Sequence, residues 1–171
     1  MYRHIFKNIL NPLHESVIKR RNMLKYRGFL EKSQWWPYEK LQAFQWEELA
    51  KLLKHSYENV PYWRGQFDRL GLKPSDIKTY EDFCRIPVTD KNNIRENYEQ
   101  MRAVNYNGRT WKKSTGGSTG EPLHFEYTPE SYDWRVAASK RGYSWAGCED
   151  GVKQAYIWGT AIGKVPAIKK I

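Results

Sequence analysis

Residues 111–130 read WKKSTGGSTGEPLHFEYTPE, and no other stretch limits the possible fold as much. The approach, RTWKKST, has strand character. PLHFEYT alternates, with Leu123, Phe125 and Tyr127 on one side and His124 and Glu126 on the other. Between the two strands lies a loop of three glycines and four hydroxyl residues, far more than a turn needs. Thr128-Pro129-Glu130 then starts a helix: a hydroxyl cap, proline in the first position, then an acid. Trp134, Ala138, Arg141 and Trp145 share one face of that helix, and Gly147 suits its C-cap. Asp150-Gly151 turns, and VKQAYIWG (residues 152–159) reads as a buried strand. Strand, Gly-rich loop, strand, helix, strand is the opening of an α/β region. An α/β layer needs several strands with covered faces. The expectation is therefore an incomplete sheet, finished by the rest of a larger domain or by a partner chain, with exposed aromatics as its sign.

The upstream residues form a string of helices. Ile5, Ile9, Leu13 and Val17 recur every four residues, with Phe6, Leu10 and Ile18 beside them, and Pro12 predicts a kink or two short helices. Such a stripe has two fates: packing on the body of the protein, the commoner one, or lying on a membrane surface. Over residues 41–60, Trp46, Leu49, Leu53 and Tyr57 share a face, and Glu47 and Lys51 form an i,i+4 pair. Val60-Pro61 ends that helix, because a residue before proline is pushed out of αR. A short helix then runs to Gly71. Thr79 and Asp82 form a capping box, Pro87 closes the helix behind it, and Thr89 is the expected N-cap of the next. Three parts follow: a basic helical extension over 1–40, a helical segment over 41–105, and the start of an α/β subdomain over 106–171.

Composition removes some function classes. The mean hydropathy is −0.85, and no apolar run approaches the ~20 residues of a membrane span. Eight Trp and twelve Tyr are many for this length, and most belong in core or interface positions. Cys84 and Cys148 set neither a disulfide framework nor a zinc spacing, and His4, His14, His55 and His124 show no metal-ligand pattern. The expectation is a reducing, cytoplasmic setting with no metal held by these side chains. The net charge of +10 is concentrated at the start, where Arg3, Lys7, Lys19, Arg20, Arg21, Lys25, Arg27 and Lys32 face only Glu15 and Glu31. Such a segment is a solvated face or a contact for an anionic partner.

Glycines let backbone N–H groups approach an anion, and Ser and Thr add hydroxyl donors. By composition alone a flexible hairpin loop would look the same. Two phosphate loops are excluded: no Gly-Lys-Ser/Thr occurs, and Gly116, Gly117 and Gly120 lack the G-x-G-x-x-G spacing.

STGGSTGEP resembles the [ST]-[ST]-G-[ST]-[ST]-G-x-P phosphate-binding loop of the adenylate-forming (acyl-CoA synthetase-like) superfamily. Thr115 takes the first hydroxyl position and Gly117 the first glycine. Ser118 and Thr119 take the central hydroxyls, followed by Gly120 and Pro122. Upstream, Tyr57, Pro61, Tyr62 and Trp63, and then Ile86, Pro87, Val88, Thr89 and Lys91, resemble stretches of the phenylacetate–CoA ligase/CapK (capsular polysaccharide biosynthesis) branch. The resemblance covers residues 41–159 and leaves 1–40 outside.

The resemblance implies an N-terminal portion of a ligase that activates a small-molecule carboxylate with Mg-ATP and, in many members, passes the acyl group to coenzyme A. Thr115, Ser118 and Thr119 would donate to ATP phosphates, with Gly116, Gly117 and Gly120 permitting backbone approach. Gly116 stands where a second hydroxyl is usual, and Glu121 where lysine is common. The family's adenine-binding motifs and catalytic lysine lie further along, so no catalytic residue is assigned and the isolated chain is expected not to turn over. Two other readings stay open. One is a non-catalytic module that binds through its basic, aromatic-rich N-terminal half, with a membrane surface a better candidate than nucleic acid. The other is a truncated, inactive relative.

Overall fold

A computed structural model describes residues 1–115 and 122–155. These residues are mostly helical, with a two-stranded antiparallel sheet, an α/β arrangement whose sheet is incomplete. The helices are α1 (Tyr2–Ile5), α2 (Met23–Ser33), α3 (Tyr38–Asn59), α4 (Pro61–Arg69), α5 (Tyr80–Phe83), α6 (Lys91–Glu96) and α7 (Pro129–Trp145). The strands are β1 (Trp111–Ser114) and β2 (His124–Tyr127).

Local chemistry explains most boundaries. Val60 is extended (φ −117°, ψ 106°), and it both ends α3 and precedes Pro61, the first residue of α4. At the end of α4, Gly71 has φ +64°, its N–H donates to Asp68 O at 3.1 Å, and Leu72 N donates to Phe67 O at 3.0 Å. That is a Schellman closure, which favours glycine because the left-handed backbone crowds a Cβ. Gly147 (φ +76°) does the same after α7, with bonds to Ser144 O and from Cys148 N to Tyr143 O. The Thr79–Asp82 capping box forms as expected, and Thr128 caps α7 by accepting from Ser131 N at 3.1 Å.

Three sequence expectations about the helices are corrected. The N-cap of α6 is Asp90, not Thr89: its carboxylate accepts from Asn93 N at 2.8 Å, and Asn93 Oδ1 accepts from Asp90 N. Pro12 does not divide the run into two short helices. Residues 2–18 form one helical run, π-wound over Phe6–Leu10 and Leu13–Ile18, and Asn11 N donates five residues back to Phe6 O. The wider turn relieves the clash a proline ring makes with the carbonyl of an α-helix. Most of the apolar stripe of this run does not pack on the body: Ile9, Leu13, Val17 and Ile18 are exposed, while Asn11 and Glu15 on the other side are buried. On α7, whose face of Trp134, Ala138, Arg141 and Trp145 carried no expectation of burial, the innermost residues are Asp133 and Ala137, with Trp134 packed beside them and Ala138 and Trp145 exposed. The α2 contact selects that face.

Two clusters make the core. Leu53, Phe67, Leu72 and Ile77 pack with Leu49, Tyr57, Phe83 and Ile86, joining α3, α4 and the segment up to residue 86. Met23, Tyr26 and Ala137 pack with Leu30, Trp134 and Val136, joining α2 to α7. Phe29 bridges toward α3 through Trp36 and Phe44. At the α2–α7 seam, Asn22 N donates to Asp133 at 2.8 Å and Tyr26 OH donates to Glu130 at 2.8 Å. The bond to Glu130, with burial, pushes the Tyr26 phenol up to about 12. Trp35, Tyr38, Tyr80 and Trp145 remain exposed, as an incomplete α/β unit leads one to expect.

β1 and β2 pair with Trp111 opposite Tyr127 and Ser114 opposite His124. Trp111, Tyr127 and Tyr132 form an aromatic group at the base, and the Arg135 guanidinium lies 5.0 Å from the Tyr132 ring. This fixes the hairpin to α7. Residues 152–155 are not in a strand, and the remainder of the strand expected over 152–159 lies outside the described residues.

Candidate functional site

The site is the loop end of the hairpin. Pairing continues one residue past β1: Thr115 N donates to Leu123 O at 2.9 Å, and Leu123 N donates to Thr115 Oγ1 at 3.0 Å. This bond occupies Thr115 Oγ1 as an acceptor and leaves its hydroxyl proton available to donate. Thr115 is therefore a fixed donor at the loop's shoulder. Gly116, Gly117, Ser118, Thr119 and Gly120 lie outside the described residues.

Below the loop, β2 carries a carboxylate that periodicity did not single out. Glu126 accepts from Thr110 Oγ1 at 2.7 Å, Tyr98 OH at 3.2 Å and Arg102 Nη2 at 3.4 Å. The Thr110 bond is the largest influence holding this carboxyl below its ordinary value, and Arg102, Tyr98 and Lys112 act in the same direction. Burial and the Glu126 charge raise the Tyr98 phenol. A cavity of about 560 Å³ opens here, lined by Tyr98, Met101, Tyr106, His124 and Phe125 among others. His124, next to the loop, faces this cavity. Tyr62 N donates to Gln100 O at 3.0 Å and Val104 N to Asn59 O at 2.8 Å, so the 97–104 segment ties the hairpin to the α3–α4 junction. Alternation had put Glu126 on the polar side. Its partners lie 16 to 28 residues upstream, a distance no local pattern reports.

A hydroxyl donor locked beside a Gly/Ser/Thr loop, on a hairpin braced from both sides, suits an oxyanion ligand. Among the described residues no helix is long and apolar enough to cross a membrane.

No family model matches the chain. It is similar to curated phenylacetate-coenzyme A ligases. The one from Escherichia coli (strain K12) is 35% identical over 133 residues, 75% of this chain and 30% of that protein. The one from Aromatoleum evansii is 33% identical over 132 residues, with the same two shares. The one from Thermus thermophilus is 32% identical over 130 residues, 74% of this chain and 29% of that protein. The chain thus spans under a third of the length of the curated relatives it matches.

Proposed function

We propose that this chain is the N-terminal portion of an AMP-forming acid–CoA ligase. Its particular kind would be the phenylacetate–CoA ligase type, in the branch that includes CapK proteins. The similarity of about three quarters of the chain to phenylacetate-coenzyme A ligases carries this reading. The anchored Thr115 supports it, because its hydroxyl keeps a proton to donate while its oxygen is held by Leu123 N.

A carboxylate is a poor acyl donor until its oxygen becomes a good leaving group, which adenylation by ATP achieves. The loop's part is to hold the polyphosphate through oriented donors rather than to break bonds. Thr115, Ser118 and Thr119 supply hydroxyls, and Gly116, Gly117 and Gly120 let backbone N–H groups close on the phosphates. Bound Mg²⁺ would neutralise the remaining charge, and the thiol of coenzyme A would take the acyl group of a small-molecule carboxylate from its adenylate as AMP leaves. These co-substrates belong to the cytoplasm. Turnover belongs to the full-length ligase.

The test is equilibrium titration of the chain with ATP, with and without Mg²⁺, in the wild type and in Gly117→Val. Mg²⁺-dependent binding that weakens by ~10-fold or more in the variant, about 1.4 kcal/mol, supports the loop assignment. Equal binding by the variant removes it. The full-length protein is then assayed for pyrophosphate release across a panel of carboxylic acids that includes phenylacetate. No acid-dependent release would end the ligase reading.

A further inference from the structure

Along the helical run over residues 2–18, one polar side is tied to the body of the protein, with Asn11 and Glu15 buried and Arg3 and Lys7 bonded but exposed. Arg3 and Lys7 both reach Glu149 at 3.0 Å, Asn11 donates to Asp150 at 3.2 Å, and Glu15, itself buried, meets Arg21 at 3.3 Å. These four residues recur every fourth position. The apolar residues Ile5, Ile9, Leu13 and Val17 recur at the same interval on the other side. π turns hold more residues than the 3.6 of an α turn, so mixing the two keeps both four-residue stripes in line. The apolar stripe faces solvent: Ile9 is 58% exposed, Val17 62% and Ile18 68%. Lys19, Arg20 and Lys25 follow it, exposed, and none has an acidic partner among the described residues.

We infer that this helix docks the protein on an anionic lipid surface. Ile9, Leu13, Val17 and Ile18 would enter the boundary between headgroups and acyl chains, while Lys19, Arg20 and Lys25 meet phosphate headgroups. Charge complementarity selects this occupant. A second copy of the chain would bring two basic clusters together, and a nucleic acid would engage the cations but leave the apolar stripe in water. The inference does not rest on the ligase reading, and its test involves no nucleotide.

The experiment is flotation of the purified chain with neutral phosphatidylcholine vesicles and with vesicles that also carry phosphatidylglycerol. Binding is expected only to the anionic vesicles and should weaken as salt rises. The Ile9→Asp/Val17→Asp variant changes only exposed positions, so its melting should match the wild type while its partitioning falls by ~10-fold or more. Lys19→Glu/Arg20→Glu should weaken binding by roughly fivefold for each cation lost. No flotation of the folded wild type overturns the inference. So does equal binding by Ile9→Asp/Val17→Asp, or wild-type self-association in sedimentation that this variant abolishes without any vesicle binding.

Discussion

Arg27 Nη1 lies 2.5 Å from Asp150 Oδ2, joining α2 to the turn after α7 across a separation of 123 residues. Asp150 also accepts from Lys140 at 2.5 Å and from Asn11 at 3.2 Å. One carboxylate therefore holds three elements. Asp150→Ala leaves Arg27, a side chain only 10% exposed, without this partner, and should cost about 3 kcal/mol. Urea unfolding with fixed m-value measures it.

Acid should dissolve the same joint. Burial is the largest single influence on Asp150 and opposes its ionisation, but Lys140 and Arg27 together outweigh it and hold the carboxyl below its ordinary 3.8. A depressed carboxylate stabilises fully above its unfolded value and loses that contribution as pH falls through the folded one. Wild-type stability should therefore decline as pH drops through and below 3.8, and Asp150→Ala should show a shallower acid limb. Identical acid limbs would mean that this carboxylate is not the group responsible.

The two core clusters should respond separately. Trp134 stacks on Tyr26 at 4.1 Å and meets Phe29 edge-on at 5.8 Å, and Trp134→Ala should cost about 3 kcal/mol. Phe67, only 1% exposed in the other cluster, should cost about 3–4 kcal/mol as Phe67→Ala. The double variant should show the sum within about 0.5 kcal/mol, read by denaturant unfolding.

Removing the cap of α7 tests how its start is fixed. Thr128→Ala removes the acceptor for Ser131 N and should cost about 1 kcal/mol, with Thr128→Ser recovering most of it.

Glu126→Ala removes the acceptor shared by Thr110, Tyr98 and Arg102. Amide exchange should speed up in β1 and β2 while α3 and α4 keep their protection. Unchanged strand exchange would show that the aromatic base alone holds the hairpin.

Where signals are local, the sequence was sufficient. The Thr79–Asp82 box, the Thr128 cap, the Val60-Pro61 break, the closing glycines and the hairpin all depend on neighbours within a few residues. The one-residue error at Asp90 arose because Thr89 and Asp90 are both good caps, and only the reciprocal bond with Asn93 chooses between them. The stripe at 5–18 was visible as a stripe, but its direction was not. Glu149 and Asp150 decide which side faces in, and they lie more than 130 residues away. Glu126 was hidden for the same reason. In the candidate site, Thr115 was named from its motif, and its anchoring to Leu123 came only from the hairpin register.

The α2–α7 seam closes after the cluster around Phe67. The contacts around Phe67 span only residues 49–86, so that helical cluster can close soon after it leaves the ribosome. Met23 and Tyr26 must wait for Trp134 and Ala137, over a hundred residues later. The apolar side chains of α2 thus stay open to chaperones while the hundred residues that separate them from α7 are made.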